Sequence, residues 1–198
     1  MTEPEQIKEL KVDDIKNAAE EKGCPVQKAL YFVTEFLAGP MCGRCFPCAM
    51  GSYEARIRLQ NLVDGKGSEA DVLALNRIAA DMVEASFCKK GKDTGKFILD
   101  WIGTGVYKEH IEGNCPDLQC AKLIEYRIIP GKCTMCGECR AACKFFAIHG
   151  EIRKAYRSGY LPFEIRQRRC TRCGECIKVC PEGAIVLVSA RTPETVGV

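Results

Sequence analysis

The sequence predicts an α+β protein, in which a helical N-terminal part precedes a duplicated, cysteine-dense C-terminal part. Two features of the sequence support this. Helical periodicity interrupted by glycines runs through residues 1–112, and two similar eleven-residue segments recur 37 residues apart between residues 126 and 190. The 198 residues suffice for one ordinary domain or two small ones.

Residues 1–40 are predicted to be helical. The segment from Val12 to Gly23 has acidic residues in its first turn and a glycine just past its end, as helices often do. A second helix is predicted over 26–37, because Pro25 suits the first turn of a helix and Gly39-Pro40 ends it.

Residues 41–112 are predicted to form a small helical bundle. Helices are expected over 49–64, from Ser68 onward, over 94–101 and over 106–111, with glycines between them. Ser68-Glu-Ala-Asp71 resembles a capping box. Short helices with short connections are typical of a bundle.

Cysteine usage indicates metal binding in a reducing compartment. The chain has 15 cysteines, an odd number, and most of them stand in closely spaced groups that suit a metal better than disulfides. The N-terminus is charged and lacks the apolar stretch of a secretory signal, and the apolar runs are too short to cross a bilayer. We therefore expect a cytoplasmic protein without membrane insertion.

Both C-terminal segments have the spacing C-x2-C-x2-C-x3-C. They resemble a bacterial two-cluster 4Fe–4S ferredoxin, in which the fourth cysteine of each repeat binds the cluster of the other repeat. The resemblance implies a ferredoxin-type domain of duplicated ββ/α form over residues 126–190. Its first cluster is assigned to Cys133, Cys136, Cys139 and Cys180, and its second to Cys170, Cys173, Cys176 and Cys143.

One position departs from the ferredoxin pattern. Pro181 follows the last cysteine of the second repeat, but Lys144 takes the place of proline after Cys143. The alternative metal is zinc, since paired C-x-x-C units also form closed four-cysteine sites. Zinc sites usually combine two doublets, whereas consecutive triplets with crossed fourth ligands favour iron–sulfur clusters.

A further triplet, Cys42, Cys45 and Cys48, stands in the phrase Cys42-Gly-Arg-Cys-Phe-Pro-Cys48. This phrase resembles the C-G-x-C-x-P-C motif of the flavoprotein subunits of NADH:quinone oxidoreductase, NAD-linked hydrogenases and formate dehydrogenases. In that family the motif and one distant cysteine bind a 4Fe–4S cluster inside a helical bundle. The resemblance implies that Cys88, 40 residues after Cys48, is the fourth ligand. Zinc on the same four cysteines is the alternative.

Some flavoprotein subunits of electron-bifurcating hydrogenases continue from this bundle directly into a two-cluster ferredoxin domain, and residues 30–190 resemble that order. The family places its FMN and NADH sites upstream of the bundle. No glycine-rich nucleotide loop occurs upstream of Cys42 in this sequence. The resemblance therefore covers the C-terminal portion of that family, and flavin and nicotinamide binding are not carried over.

Residues 113–125 are predicted to be a hinge that carries part of a metal site. His110, Cys115 and Cys120 form the pattern H-x4-C-x4-C, and one imidazole with two thiolates makes a partial zinc shell. A similar segment occurs at this junction in the bifurcating flavoprotein subunits. The fourth ligand stays open among Cys24, Glu109, Glu112, Asp117 and a residue of a partner. The alternative is two small buried cysteines and a histidine that caps a helix.

Three other features are interpreted without metal ligation. Cys24 is expected to be a buried or helix-capping thiol. His149 is expected in a surface turn, with a hydrogen bond to a cluster sulfur as the alternative. The basic, aromatic segment 151–169 is expected to form a hairpin beside a cluster and to face an acidic partner surface, with nucleic-acid binding as the alternative.

These patterns predict a non-catalytic electron-transfer subunit with three 4Fe–4S clusters and one candidate zinc site. The resemblance implies a soluble NAD(P)- and ferredoxin-linked complex of the electron-bifurcating hydrogenase or formate dehydrogenase type, in an anaerobe. Its expected partners are a flavoprotein subunit, a catalytic subunit and soluble ferredoxin. Nucleic acid is not expected as a partner.

A free ferredoxin-like carrier and a zinc-rich interaction module remain alternatives. Residues 191–198 are expected to form a loose tail.

Overall fold

The computed structural model describes residues 11–154, 156 and 158–191 of the chain. The chain divides into a helical unit, Met1–Lys122, and a C-terminal unit, Leu123–Val198. Long helices in one unit and two small antiparallel sheets in the other confirm the α+β prediction. The predictions for residues 1–10 and for 192–198 of the tail lie outside the described residues.

Six helices form the described part of the helical unit. They are α1 (Val12–Glu20), α2 (Pro25–Ala38), α3 (Phe46–Val63), α4 (Glu69–Ala85), α5 (Lys89–Ile102) and α6 (Val106–Ile111). Two of them begin earlier than the sequence predicts: α3 starts inside the cysteine triplet, and α5 starts directly after Cys88. Within the described residues, no helix has both the length and the hydrophobicity needed to cross a membrane.

Aromatic side chains hold the first, second and fifth helices together. Phe32 of α2 stacks on Phe97 of α5, with ring centroids 4.4 Å apart, and Trp101 packs edge-on against Phe97 at 6.5 Å. Ile15 and Ala19 of α1 complete this buried cluster. Burying such rings contributes most of the stability of a small helical unit.

The predicted capping box at the start of α4 is present. Ser68 Oγ accepts a hydrogen bond from the Asp71 N–H at 3.3 Å, and Asp71 Oδ2 accepts one from the Ser68 N–H at 2.8 Å. Arg58 of α3 donates to Asp71 Oδ1 at 2.9 Å. The box therefore both starts α4 and ties it to α3.

The C-terminal unit is built on two short antiparallel pairs and two short helices. Strand β1 (Ile124–Ile128) pairs with β4 (Ile185–Ser189), and β2 (Ile148–His149) pairs with β3 (Glu164–Ile165). The helices are α7 (Glu138–Ala142) and α8 (Glu175–Lys178). Two cysteines belong to the buried core of this unit, which consists of Tyr126, Cys139, Ile148, Phe163, Cys176 and Ile185.

Candidate metal centres

One cavity in the C-terminal unit is lined by four cysteines: Cys133, Cys136, Cys139 and Cys180. The cavity encloses about 340 Å³ of space not filled by protein atoms, part of it open to solvent. Its other walls are largely apolar and include Ile128 and Phe163. Four thiolates around an apolar cavity fit the requirements of a 4Fe–4S cluster.

A second cavity of about 330 Å³ is lined by Cys143, Cys170, Cys173 and Cys176. The structure thus brings together the three closely spaced cysteines of each repeat and the last cysteine of the other repeat. Burial and the neighbouring thiols raise the pKa of Cys176 to about 11. Since metal centres bind thiolates, binding there must displace a proton from this thiol.

The two cysteine triplets of the C-terminal unit have similar backbone conformations as well as similar sequences. The residue before the second cysteine of each triplet is left-handed, with φ of 59° at Met135 and 60° at Arg172. The glycines that precede α7 and α8 are also left-handed, with φ of 90° at Gly137 and 78° at Gly174. Glycine suits this conformation because it has no side chain to clash. The two cysteine loops therefore fold alike.

The last cysteine of each repeat accepts an equivalent hydrogen bond. The Ala147 N–H donates to Cys143 Sγ at 3.4 Å, and the Ala184 N–H donates to Cys180 Sγ at 3.3 Å. Hydrogen bonds to sulfur are among the features with which a protein tunes a bound cluster. Lys144, which takes the place of proline after Cys143, leaves this hydrogen bond intact.

Four cysteines of the helical unit lie at or near the beginnings of two helices. Cys45 is the N-cap of α3, Cys48 lies in the first turn of that helix, and Cys88 is the N-cap of α5. The thiol of Cys48 interacts electrostatically with those of Cys45, Cys88 and Cys42. The structure thus brings Cys88 beside the triplet, and two helix N-termini face a group that becomes anionic when it binds metal.

Burial differs within this group of four. Cys45 and Cys48 are buried, whereas Cys42 and Cys88 are exposed. Burial raises the pKa of Cys48 to about 11, with a further contribution from the neighbouring thiols. A hydrogen bond from the backbone of Phe87 lowers the pKa of Cys45. Four thiols at two helix N-termini fit a 4Fe–4S cluster near the surface.

A fourth group combines three cysteines and a histidine: Cys24, His110, Cys115 and Cys120. All four residues are buried, and their ligand atoms lie within 4.8 Å of one another. Cys24 is buried at the N-cap position of α2, as expected, but its side chain makes no capping hydrogen bond and its sulfur belongs to this candidate metal group, which the interpretation without metal ligation did not anticipate. His110 lies in α6. Among the described residues, the acidic candidates Glu109, Glu112 and Asp117 are not part of this group.

The spacing of these atoms suits a single tetrahedral ion. Cys24 Sγ and Cys120 Sγ lie 3.3 and 3.4 Å from His110 Nε2, and the two sulfurs are 3.7 Å apart. Tetrahedral zinc with ordinary bond lengths would give S···N and S···S distances of about 3.6 and about 3.8 Å. His110 Nδ1 lies 2.8 Å from the Val106 carbonyl. That contact leaves Nε2 facing the sulfurs, which is the usual arrangement of a histidine ligand.

The hydrogen bonds inside this group also shift its pKa values. Those with Cys120 and Cys24 lower the pKa of the Cys115 thiol. Burial lowers the pKa of His110, but its hydrogen bonds to Cys115, Cys24 and Val106 outweigh burial and raise that pKa to about 10. A metal ion that binds here must therefore displace the imidazole proton.

The remaining features of the C-terminal unit were predicted with mixed success. His149 lies in strand β2, opposite Glu164, so the expected surface turn was wrong. Its Nε2 is buried and has no hydrogen-bond partner in the described part of the chain. The part of the basic segment before Glu164 lies between the paired strands β2 and β3, as in a hairpin. Arg140 anchors its start through a 2.8 Å hydrogen bond to the Gly150 carbonyl.

Comparison with known families identifies two iron–sulfur regions. Residues 28–109 match the NADH-ubiquinone oxidoreductase-F iron-sulfur binding region, and residues 132–184 match a 4Fe-4S dicluster domain. The first range contains the four cysteines at the starts of α3 and α5, and the second contains both repeats. Two such regions in one chain define an iron–sulfur electron-transfer protein.

More particularly, the chain joins an iron–sulfur region of the oxidoreductase-F kind to a dicluster ferredoxin domain, which confirms the predicted fusion. It is 32% identical over 134 residues to the NADP-reducing hydrogenase subunit HndC of Solidesulfovibrio fructosivorans, covering 66% of this chain and 27% of that protein. It is 36% identical over 94 residues to the F subunit of the NADH-quinone oxidoreductase of Streptomyces coelicolor, covering 46% of this chain and 21% of that protein.

A third relative is the NADP(+)-dependent formate dehydrogenase subunit beta of Moorella thermoacetica. It is 31% identical over 74 residues, which cover 37% of this chain and 10% of that protein. The chain therefore spans about a quarter or less of the length of these curated relatives.

Proposed function

We propose that this chain relays single electrons through three 4Fe–4S clusters, as a non-catalytic subunit of a larger oxidoreductase. The observation that carries the proposal is the gathering of twelve cysteines into three sets of four, two in the C-terminal unit and one in the helical unit. A bound 4Fe–4S cluster accepts and releases one electron at a time. The chain contributes the thiolates, the N–H donors beside them and two helix N-termini.

We further infer that the C-terminal unit is a duplicated ββ/α fold. The equivalent left-handed residues of the two loops support this inference. So do the equivalent N–H···S hydrogen bonds to Cys143 and Cys180.

The proposed complex is NAD(P)- and ferredoxin-linked, of the electron-bifurcating hydrogenase or formate dehydrogenase type, and cytoplasmic. The names of two relatives, an NADP-reducing hydrogenase subunit and an NADP(+)-dependent formate dehydrogenase subunit, support the NADP, hydrogenase and formate dehydrogenase parts of this proposal. Phe46 and Phe87 are 77% and 84% exposed and are the chain neighbours of Cys45 and Cys88. Exposed aromatic side chains beside a redox site are typical of a docking surface. We assign this surface to a flavoprotein subunit, and we place the catalytic chemistry on a further chain.

Anaerobic purification from the native host, with partner identification and metal analysis, tests the proposal. We expect about twelve irons per chain, from four per cluster, and co-purification with a flavoprotein. The substitution Cys88→Ala should reduce the iron to about eight per chain. A stable, iron-loaded monomer without partners would instead establish a free carrier. A colourless protein that holds zinc and no iron would establish a zinc-rich module.

The proposal includes one zinc ion held by Cys24, His110, Cys115 and Cys120. Four buried protein ligands leave no open position for a substrate, which is typical of a structural zinc site. The ligands come from the start of α2, from α6 and from the chain that follows α6. A zinc ion there would fasten these segments to one another.

Two cysteine substitutions separate the zinc site from the bundle cluster. Cys24→Ser should reduce zinc from about one per chain to near zero during dialysis against a chelator, and leave iron unchanged. Cys42→Ser is the matched control, because it should lower iron and leave zinc in place. A loss of iron in Cys24→Ser with zinc retained would contradict the assignment.

A further inference from the structure

Three buried hydroxyl groups among the described residues of the helical unit have no hydrogen-bond partner, those of Ser52, Ser86 and Tyr107. Ser52 is 0% exposed and Ser86 is 3% exposed. A buried polar group without a partner destabilises the folded state. Such groups are uncommon in proteins and often serve a function. Both serines lie beside the cysteines at the starts of α3 and α5.

Ser52 lies one helical turn after Cys48 on α3, and both side chains are buried. Residues four apart lie on the same face of a helix, and helical side chains lean toward the N-terminus. The hydroxyl of Ser52 therefore lies toward the sulfur of Cys48. In agreement with this placement, the side chains of Ser52 and Cys48 lie within reach of each other.

Ser86 lies between α4 and α5, directly before Phe87, whose backbone hydrogen-bonds to Cys45. The side chain of Ser86 also lies within reach of Cys45. Gly91 packs closely against this group: a Cβ atom there would lie 2.7 Å from Ser86 Oγ and 3.1 Å from Cys48 Sγ. Ser86 Oγ and Cys48 Sγ therefore both contact Gly91.

We propose that Ser52 and Ser86 donate O–H···S hydrogen bonds to the thiolates of Cys48 and Cys45, and thereby raise the reduction potential of the cluster bound there. The inference rests on the proposed function, since it requires a cluster on these cysteines. Reduction adds one negative charge, which is shared with the thiolate sulfurs. Hydrogen bonds to those sulfurs therefore stabilise the reduced form more than the oxidised form.

An anaerobic redox titration of the full chain, monitored by EPR, tests this inference. The EPR signal that disappears in Cys88→Ala is assigned to the cluster of the helical unit and is called the bundle signal. In the double variant S52A/S86A, we expect the ratio of reduced to oxidised cluster at a fixed potential to fall about tenfold, which is about 59 mV for a one-electron couple. Each single variant should give part of that shift. Ser52→Thr and Ser86→Thr, which keep the hydroxyl, should restore the potential.

Thr94→Val is the matched control. Thr94 of α5 is also fully buried, but its hydroxyl donates to the Lys90 carbonyl at 3.0 Å. Its removal should leave the bundle signal unshifted. An unshifted signal in S52A/S86A, an equal shift in Thr94→Val, or loss of iron from the serine variants would each overturn the inference. A wild-type chain without any signal that depends on Cys88 would overturn both the cluster assignment and the inference.

Discussion

The two units hold their cysteines in different relations to their hydrophobic cores. In the C-terminal unit, Cys139 and Cys176 belong to the core itself, and the strands that surround them are only two to five residues long. In the helical unit, the stacked Phe32 and Phe97 form a buried cluster without cysteines, and the candidate ligands Cys45 and Cys48 pack in a smaller cluster around Phe36. The difference predicts that the proposed clusters are part of the core in the C-terminal unit, whereas the proposed cluster of the helical unit lies beside a core that does not depend on iron.

Removal of iron should give the largest difference in stability between the two units. When iron is stripped anaerobically by acid and a chelator and the protein is returned to neutral pH with one equivalent of zinc, we expect the C-terminal unit to unfold and the helical unit to keep its helices. The reason is that small units with little apolar core depend on staples such as metals. Hydrogen exchange should show lost protection in β1 and β4 and retained protection in α3 and α4. Equal loss in both units would contradict the comparison.

Single cysteine substitutions should give the next largest difference between the units, measured as iron content. Cys88→Ala removes an exposed ligand at the start of a helix, so about four irons should be lost and about eight should remain. Cys139→Ala removes a residue of the first cavity that shares its buried core with Cys176 of the second. We expect both C-terminal clusters to be lost, leaving about four irons per chain. Iron analysis with circular dichroism measures both outcomes, and equal iron losses would refute the distinction.

The same difference explains what could be predicted from the sequence. The ferredoxin ligands are spaced by a local rule, so the pattern within each repeat carries most of the information. The capping box at Ser68 is local as well, and it was predicted correctly. By contrast, Cys24 lies beside His110 although 86 residues separate them in the chain. A contact at that separation depends on how the helices pack, which no local pattern specifies.

The predicted start of α5 shows a second limit. Helical periodicity begins at Thr94, because the preceding Lys89-Lys-Gly-Lys-Asp is polar and contains a helix-weakening glycine. The structure begins the helix at Lys89, with Cys88 as its N-cap. Packing explains the glycine, since Gly91 lies against Ser86 and Cys48. A residue that opposes helix propensity was therefore a sign of the nearby site.

Gly91→Ala should destabilise the helical unit, because the substitution lies beside Cys48. The added methyl group would meet Ser86 and Cys48 at 2.7 and 3.1 Å, and such overpacking typically costs about 1–3 kcal/mol. Gly103→Ala is the matched control, because a Cβ there meets nothing within 4 Å. Chemical denaturation of the helical unit measures both variants. Equal stabilities would show that the space around Gly91 is not constrained.

Ser68→Ala should give the smallest effect and test whether the helical unit is stabilised apart from its metals. The change removes the acceptor that the Asp71 N–H uses at the start of α4, and loss of such an N-cap typically costs about 1 kcal/mol. Iron and zinc contents should stay unchanged, because the box lies at the start of α4, whereas Ser86 and Cys88 follow the end of that helix. Ser158→Ala, an exposed serine of the C-terminal unit, serves as the control for denaturation of the helical unit. If Ser68→Ala lowered the iron content as well, the fold of the helical unit and its metal binding would be coupled, and the contrast between the two units would be one of degree.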